Sequence, residues 1–218
     1  MIELQSITKS YRTNQGRTYV FRDLSVVIPE GRNVAIIGRN GEGKSTLLRL
    51  LGGQDRPDSG KIVTNKTISW PVGLSGGFQG SMTGRQNVKF VARVHGAEGA
   101  MMKNVLQYVE EFAELGNYFD LPVNTYSSGM RGRLAFGLSL AFKFDYYLVD
   151  EAMSVGDAHF KRKATAEFKN RIKQANLLLV THGMSQVRAL CDMVLLLKDG
   201  ILTRYDDIEE GIAAYNNA

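Results

Sequence analysis

The sequence predicts an α/β fold with a mainly parallel core sheet, an antiparallel β side sheet and an inserted helical subdomain. Three observations carry this. In the second half of the chain, short apolar runs suited to buried strands alternate with helical segments, the pattern of a parallel sheet covered on both faces. Near the start, the apolar runs are joined by turns without helices, as in an antiparallel sheet. Between the two, from about residue 84 to 142, the apolar period becomes helical.

Residues 1 to 9 read as a strand in which Ile2, Leu4 and Ile7 alternate with one slip. Residues 18 to 28 read as a second strand through Val20, Leu24, Val26 and Ile28, closed by the Pro29-Glu30-Gly31 turn. Asn33-Val34-Ala35-Ile36-Ile37 is short and apolar enough for a buried strand. A glycine-rich loop follows, then a helix with Leu47, Leu48, Leu50 and Leu51 on its apolar face. Residues 55 to 82 read as loops with short strands. Val88, Val91 and Ala92, then Val105, Tyr108, Val109 and Phe112, have helical spacing. After the Pro122 to Ser128 loop, residues 130 to 142 read as a helix. Then come a strand at Tyr146 to Val149, a charged helix over 157 to 173, a strand at Leu177 to Val180, a helix over 184 to 190, a strand at Met193 to Leu197 and a last helix over 206 to 217.

The composition bounds what such a chain does. Its 218 residues suffice for one core and a small subdomain. With 44% apolar residues and four prolines it is not a disordered chain. Cys191 is the single cysteine, so no intrachain disulfide exists; that fits a reducing compartment. The longest apolar run, Leu134 to Phe142, is broken by Gly137 and Ser139 and is far short of the roughly 20 residues that span a bilayer. A membrane role therefore needs another chain to cross the membrane. The net charge of +5 is compatible with nucleic acid, an anionic leaflet or a merely basic surface, because Lys and Arg are spread along the chain.

Gly38-Arg39-Asn40-Gly41-Glu42-Gly43-Lys44-Ser45 fits the phosphate-loop pattern, with Thr46 continuing into the helix. Glycines let several N–H groups turn toward one anion, and the helix N-terminus adds partial positive charge. Lys44 reaches the terminal phosphates, and Ser45 offers a hydroxyl to Mg²⁺. The apolar run Tyr146 to Val149 ends in Asp150-Glu151. In a parallel sheet ligands gather beyond the strand C-termini, which puts both carboxylates near those phosphates. Asp150 serves the Mg²⁺ site and Glu151 orients the attacking water.

Tyr126-Ser127-Ser128-Gly129-Met130, ahead of a helix, resembles the signature of the ABC ATPases, a branch of the P-loop NTPases; Ser128 and Met130 depart from its usual residues. The resemblance spans nearly the whole chain and implies one nucleotide-binding domain over residues 1 to 218. It further implies a head-to-tail homodimer in which Ser127 and Gly129 of one copy contact the γ-phosphate held by the other. Leu74-Ser75-Gly76-Gly77-Phe78-Gln79 looks nearer to the written signature but has no strong helix directly behind it. It falls at the family's glutamine loop, with Gln79 a Mg²⁺-sensing candidate; a plain surface glutamine is the alternative. His182 resembles the switch histidine at the γ-phosphate. Ser154-Val155-Gly156-Asp157 resembles the loop coupling the two cassettes, and Tyr11 resembles the aromatic residue that stacks on adenine.

Three stretches narrow the resemblance to ATP-binding subunits of polysaccharide exporters: the signature, Trp70 to Gly80 and Asp150 to Asp157. The capsular type is favoured because related O-antigen and teichoic-acid subunits often carry a further C-terminal domain. The expected partners are a second copy and an integral-membrane permease at the cytoplasmic face of the bacterial inner membrane. The polysaccharide is met only indirectly. No nucleic acid is expected, although a soluble ABC ATPase acting on nucleic acid is the rival reading.

Overall fold

The computed structural model describes residues 1–14, 16–73, 77–150 and 157–217. The chain forms two compact units, one of Met1–Pro71, Phe144–Glu151 and Ile172–Ala218, the other of Val72–Lys143 and Ala152–Arg171.

The first unit holds both sheets. In the antiparallel one, β1 (Ile2–Thr13) lies between β2 (Gly16–Ile28) and β4 (Ser59–Thr64). The slip in the β1 pattern is a bulge: the register shifts between Leu4 and Ile7, and Ser6 takes a φ of 50°. The bulge restores Ile7 to the face of Ile2 and Leu4, and all three are buried.

The second sheet has six strands in the order β5 (Ile68–Pro71), β6 (Tyr146–Asp150), β7 (Asn176–Val180), β3 (Val34–Ile37), β8 (Met193–Lys198), β9 (Ile201–Tyr205). All its pairings are parallel except the last. Every residue of β3 is fully buried, as a central parallel strand requires. The strand β9 is absent from the reading of the sequence. It returns antiparallel from β8 through Asp199-Gly200, whose φ values of 51° and 75° both lie in the left-handed region.

Helix α1 (Lys44–Leu51) packs Leu47, Leu48, Leu50 and Leu51 into one core with Ile2, Phe21, Ile36, Tyr146, Leu178 and Leu195. Two more helices follow in this unit. The short α6 (Met184–Leu190) is the first, and α7 (Ile208–Asn216), capped by Asp207, lays Gly211 against Val194 of β8.

The second unit is helical. It contains α2 (Gly84–Val94), α3 (Gly99–Ala113), two 3-10 turns at Gly116–Asp120 and Val123–Thr125, α4 (Ser128–Ala141) and almost all of α5 (Ala158–Ile172). A capping box of Thr83 and Gln86 starts α2. Phe112 is the hub of the core: its ring centroid lies 5.8 Å from Tyr108, 6.1 Å from Phe136 and 5.4 Å from Phe160. Phe160 and Phe168 of α5 are buried with it, so this charged helix belongs to the helical unit. Among the described residues no helix is long and apolar enough to cross a membrane.

Candidate functional site

Sheet register assembles the site. Asp150 pairs with Val180, and Val180 pairs with Ile36. The residues just past these strands, Gly38 after β3 and His182 after β7, therefore emerge at the same sheet edge as Asp150. That edge borders a cavity of about 310 Å³ lined by Asn40, Gly41, Gly43, Lys44, Ser45, Thr46, Asp150, Val180 and His182.

The loop is held by backbone freedom and close packing. Gly41 and Gly43 have φ of 93° and 102°. A Cβ on Gly43 would lie 2.3 Å from Val20 Cγ1, and one on Gly38 would lie 2.4 Å from the Leu197 carbonyl oxygen. Gly43 is also the N-cap of α1, and no side chain caps this helix start. The first N–H groups of α1, at cavity-lining residues, thus keep their donor capacity for an anion. The Lys44 ammonium is buried and donates to the carbonyls of Gly38 at 2.6 Å and Arg39 at 2.8 Å, which ties it to its own loop. Arg39 is exposed. The Glu42 carboxylate turns to the β8–β9 turn, where it accepts from the Asp199 N–H at 2.7 Å. The loop is therefore wedged between β2 and that hairpin.

His182 is half-buried, with Nδ1 3.4 Å from the Tyr215 hydroxyl of α7. Its turn is shaped by the Thr181 hydroxyl, which accepts from the Gly183 N–H at 3.0 Å and donates to Gln186 at 2.9 Å. Glu151, Ser154, Val155 and Gly156 lie outside the described residues, as do Leu74, Ser75 and Gly76.

Tyr11 does not line the cavity. Its hydroxyl donates to Asp55 Oδ2 at 2.8 Å and accepts from Arg49 Nη2 at 3.2 Å. Asp55 also accepts from Lys9 at 2.6 Å, and that hydrogen bond, opposed by some desolvation, leaves its carboxyl below the usual range. Reading the sequence missed Lys9, Arg49 and Asp55, since Asp55 falls in a stretch that signals only a loop.

The remaining site residues lie in the helical unit. Ser127 is the N-cap of α4, its hydroxyl accepting from the Met130 N–H at 3.2 Å, and Gly129 sits in the first turn. Asp157 caps the start of α5 by accepting from the Phe160 N–H at 2.9 Å, and pairs with Arg133 of α4 at 2.5 Å. The Phe160 N–H is the chief cause of its lowered carboxyl pKa. The exposed Gln79 is fixed through its backbone: its N–H donates to Asn87 Oδ1 at 2.8 Å, and Asn87 Nδ2 donates back to the Gln79 carbonyl at 3.1 Å. Asn87 is another residue that reading the sequence missed. A polar side chain on the buried face of α2 is the signal that could have found it.

A glycine-cradled helix start, a lysine, a hydroxyl, a carboxylate and a histidine around one cavity are the groups that binding a polyphosphate calls for. Residues 21–154 match the family described as ABC transporter. The chain belongs to the ABC transporter family. Within that family it is 59% identical over 216 residues to the polysialic acid transport ATP-binding protein KpsT of Escherichia coli, across 99% of this chain and 96% of that one. It is 41% identical to the capsule polysaccharide export ATP-binding protein CtrD of Neisseria meningitidis serogroup B, across 100% of this chain and 99% of the relative. Among solved structures, the dimeric bacterial ABC transporter cassette MJ0796 superimposes with a TM-score of 0.72 at 25% identity, over 94% of this chain and 97% of that one.

Proposed function

We propose that this chain hydrolyses ATP as one half of a homodimer and thereby drives export of capsular polysaccharide through a separate membrane permease, working at the cytoplasmic face of the inner membrane. The cavity where Lys44, Ser45, Asp150 and His182 meet at the start of α1 carries the reading. Likeness over nearly the full chain to a polysialic acid transport protein and a capsule export protein supports the cargo.

The N–H groups at the start of α1 and the Lys44 ammonium bind the β- and γ-phosphates. Ser45 and Asp150, a hydroxyl and a carboxylate on one cavity, fit Mg²⁺, which prefers oxygen donors. Mg²⁺ supplies charge neutralisation at the phosphates; Gln79 is a further candidate for sensing it. Glu151 orients the attacking water, and His182 holds the γ-phosphate. Ser127 and Gly129, at the N-terminal end of α4, offer the partner copy's γ-phosphate an anion site, and Asp157 couples the copies. Tyr11 forms the platform for adenine.

The purified chain should release phosphate from ATP in the presence of Mg²⁺. Glu151→Gln should bind ATP and lose nearly all turnover. Near-normal phosphate release by that variant would remove Glu151 from the role given to it, and no release by the native chain, alone or with its permease, would overturn the reading.

A further inference from the structure

Three consecutive residues of β1 are clamped by the loop that follows α1. The Lys9 ammonium, on a residue only 7% exposed, donates to Asp55 at 2.6 Å and to the Arg56 carbonyl at 2.8 Å. The Ser10 N–H and hydroxyl both donate to Asp58 Oδ2. The Tyr11 hydroxyl donates to the second oxygen of Asp55, while Arg49 of α1 donates to that hydroxyl. Asp55 is therefore shared, one oxygen on a nearly buried cation and the other on the phenol. A carboxylate so held is confined, and it holds the phenol oxygen, at the tip of the ring axis, in one place. Tyr11 is half-buried, with the Lys9 ammonium 5.0 Å and the Arg49 guanidinium 5.8 Å from its ring centroid.

We propose that Asp55 is a positioning residue for the nucleotide base: by gripping the Tyr11 hydroxyl it fixes where the ring on which adenine stacks lies. This rests on Tyr11 being the base platform. A side chain free to swing about its Cα–Cβ bond would spend part of the stacking energy on its own ordering, so holding it in place strengthens base binding without touching the phosphates. An interaction of this kind appears as a preference for ATP over inorganic tripolyphosphate, which carries the phosphates and no base.

The experiment compares calorimetric affinities for ATP and tripolyphosphate, both with Mg²⁺, across four forms of the full chain. These are the native chain, Tyr11→Ala, Tyr11→Phe, and the double variant Lys9→Met with Asp55→Leu. The double variant removes the ion pair without leaving an uncompensated buried cation; Tyr11→Phe removes only the hydroxyl. Tyr11→Ala should cut the preference for ATP roughly fivefold or more, the scale of one base stack. The other two variants should cut it about threefold, with tripolyphosphate affinity unchanged within about twofold. If only Tyr11→Ala loses the preference, the ring works without the grip of Asp55 and the proposal fails. If Tyr11→Ala keeps the preference, the platform reading itself fails. A parallel loss of tripolyphosphate affinity would make the network a support of α1 rather than of the base. Should the double variant fail to fold, Tyr11→Phe alone decides.

Discussion

Single residues set the shape of the phosphate loop, and Gly43 is the most constrained of them. It combines a φ of 102° with a Val20 methyl where a Cβ would stand. Gly43→Ala should destabilise the chain by about 2 kcal/mol, part strain and part overlap, read from urea unfolding. Adding Val20→Ala should recover only the overlap. Lys44→Ala should lower ATP affinity at least tenfold, because it removes an ammonium that lines the cavity; calorimetry would check it. Asp55 gives a pH signature. Its folded-state pKa lies below the unfolded one, so its contribution to stability is complete above the ordinary carboxylate range and fades as pH falls through the lowered value. The stability gap between the native chain and Asp55→Asn should therefore stand at neutral pH and close as pH falls below the ordinary carboxylate range. Equal destabilisation at neutral pH and below that range would contradict the ion pair. At this scale the sequence was legible where a residue's role follows from a local pattern, as with Lys44. It was silent where the role depends on a distant partner: nothing local to Asp55 tells of Lys9 and Tyr11.

Elements carry the next layer. Helix α4 begins at Ser127, whose hydroxyl caps it, and the same helix start is the proposed anion site for the partner copy. The two roles separate by substitution. Ser127→Ala should cost about 1 kcal/mol from the lost cap. Ser127→Asp should keep the cap and the stability but abolish ATP turnover, because a carboxylate then faces phosphate. Parallel measurements of unfolding and phosphate release test this, and full turnover by Ser127→Asp would remove the phosphate role. Most elements could be read from periodicity, since β3, β6, β7 and β8 are short buried runs and α2 and α3 keep their apolar stripes. Even the slip in β1 was visible, and the bulge at Ser6 is its cause. Strand β9 was not, because its residues are mostly exposed and its pattern weak; the Asp199-Gly200 pair was the available signal. The charged pattern of α5 placed it among the crossover helices. Its buried Phe160 and Phe168 pack instead with Phe112 and Phe136 in the helical unit.

At the scale of the whole molecule, the proposed function needs two copies for one complete site. In that proposal the cavity of the first unit supplies Lys44, Ser45, Asp150 and His182, and Ser127 and Gly129 come from the helical unit of the opposite copy. Binding energy from the γ-phosphate would then close the pair, and hydrolysis would reopen it. This layer was legible only through resemblance, because a composite site leaves no pattern in a single chain beyond its separate halves. The most direct test is the mass of the Glu151→Gln chain in solution, by sedimentation with ATP and Mg²⁺ and again with ADP. Twice the chain mass of 24.2 kDa with ATP, and 24.2 kDa with ADP, is the expected result. A single-chain mass with saturating ATP, unchanged when the permease is supplied, would contradict it.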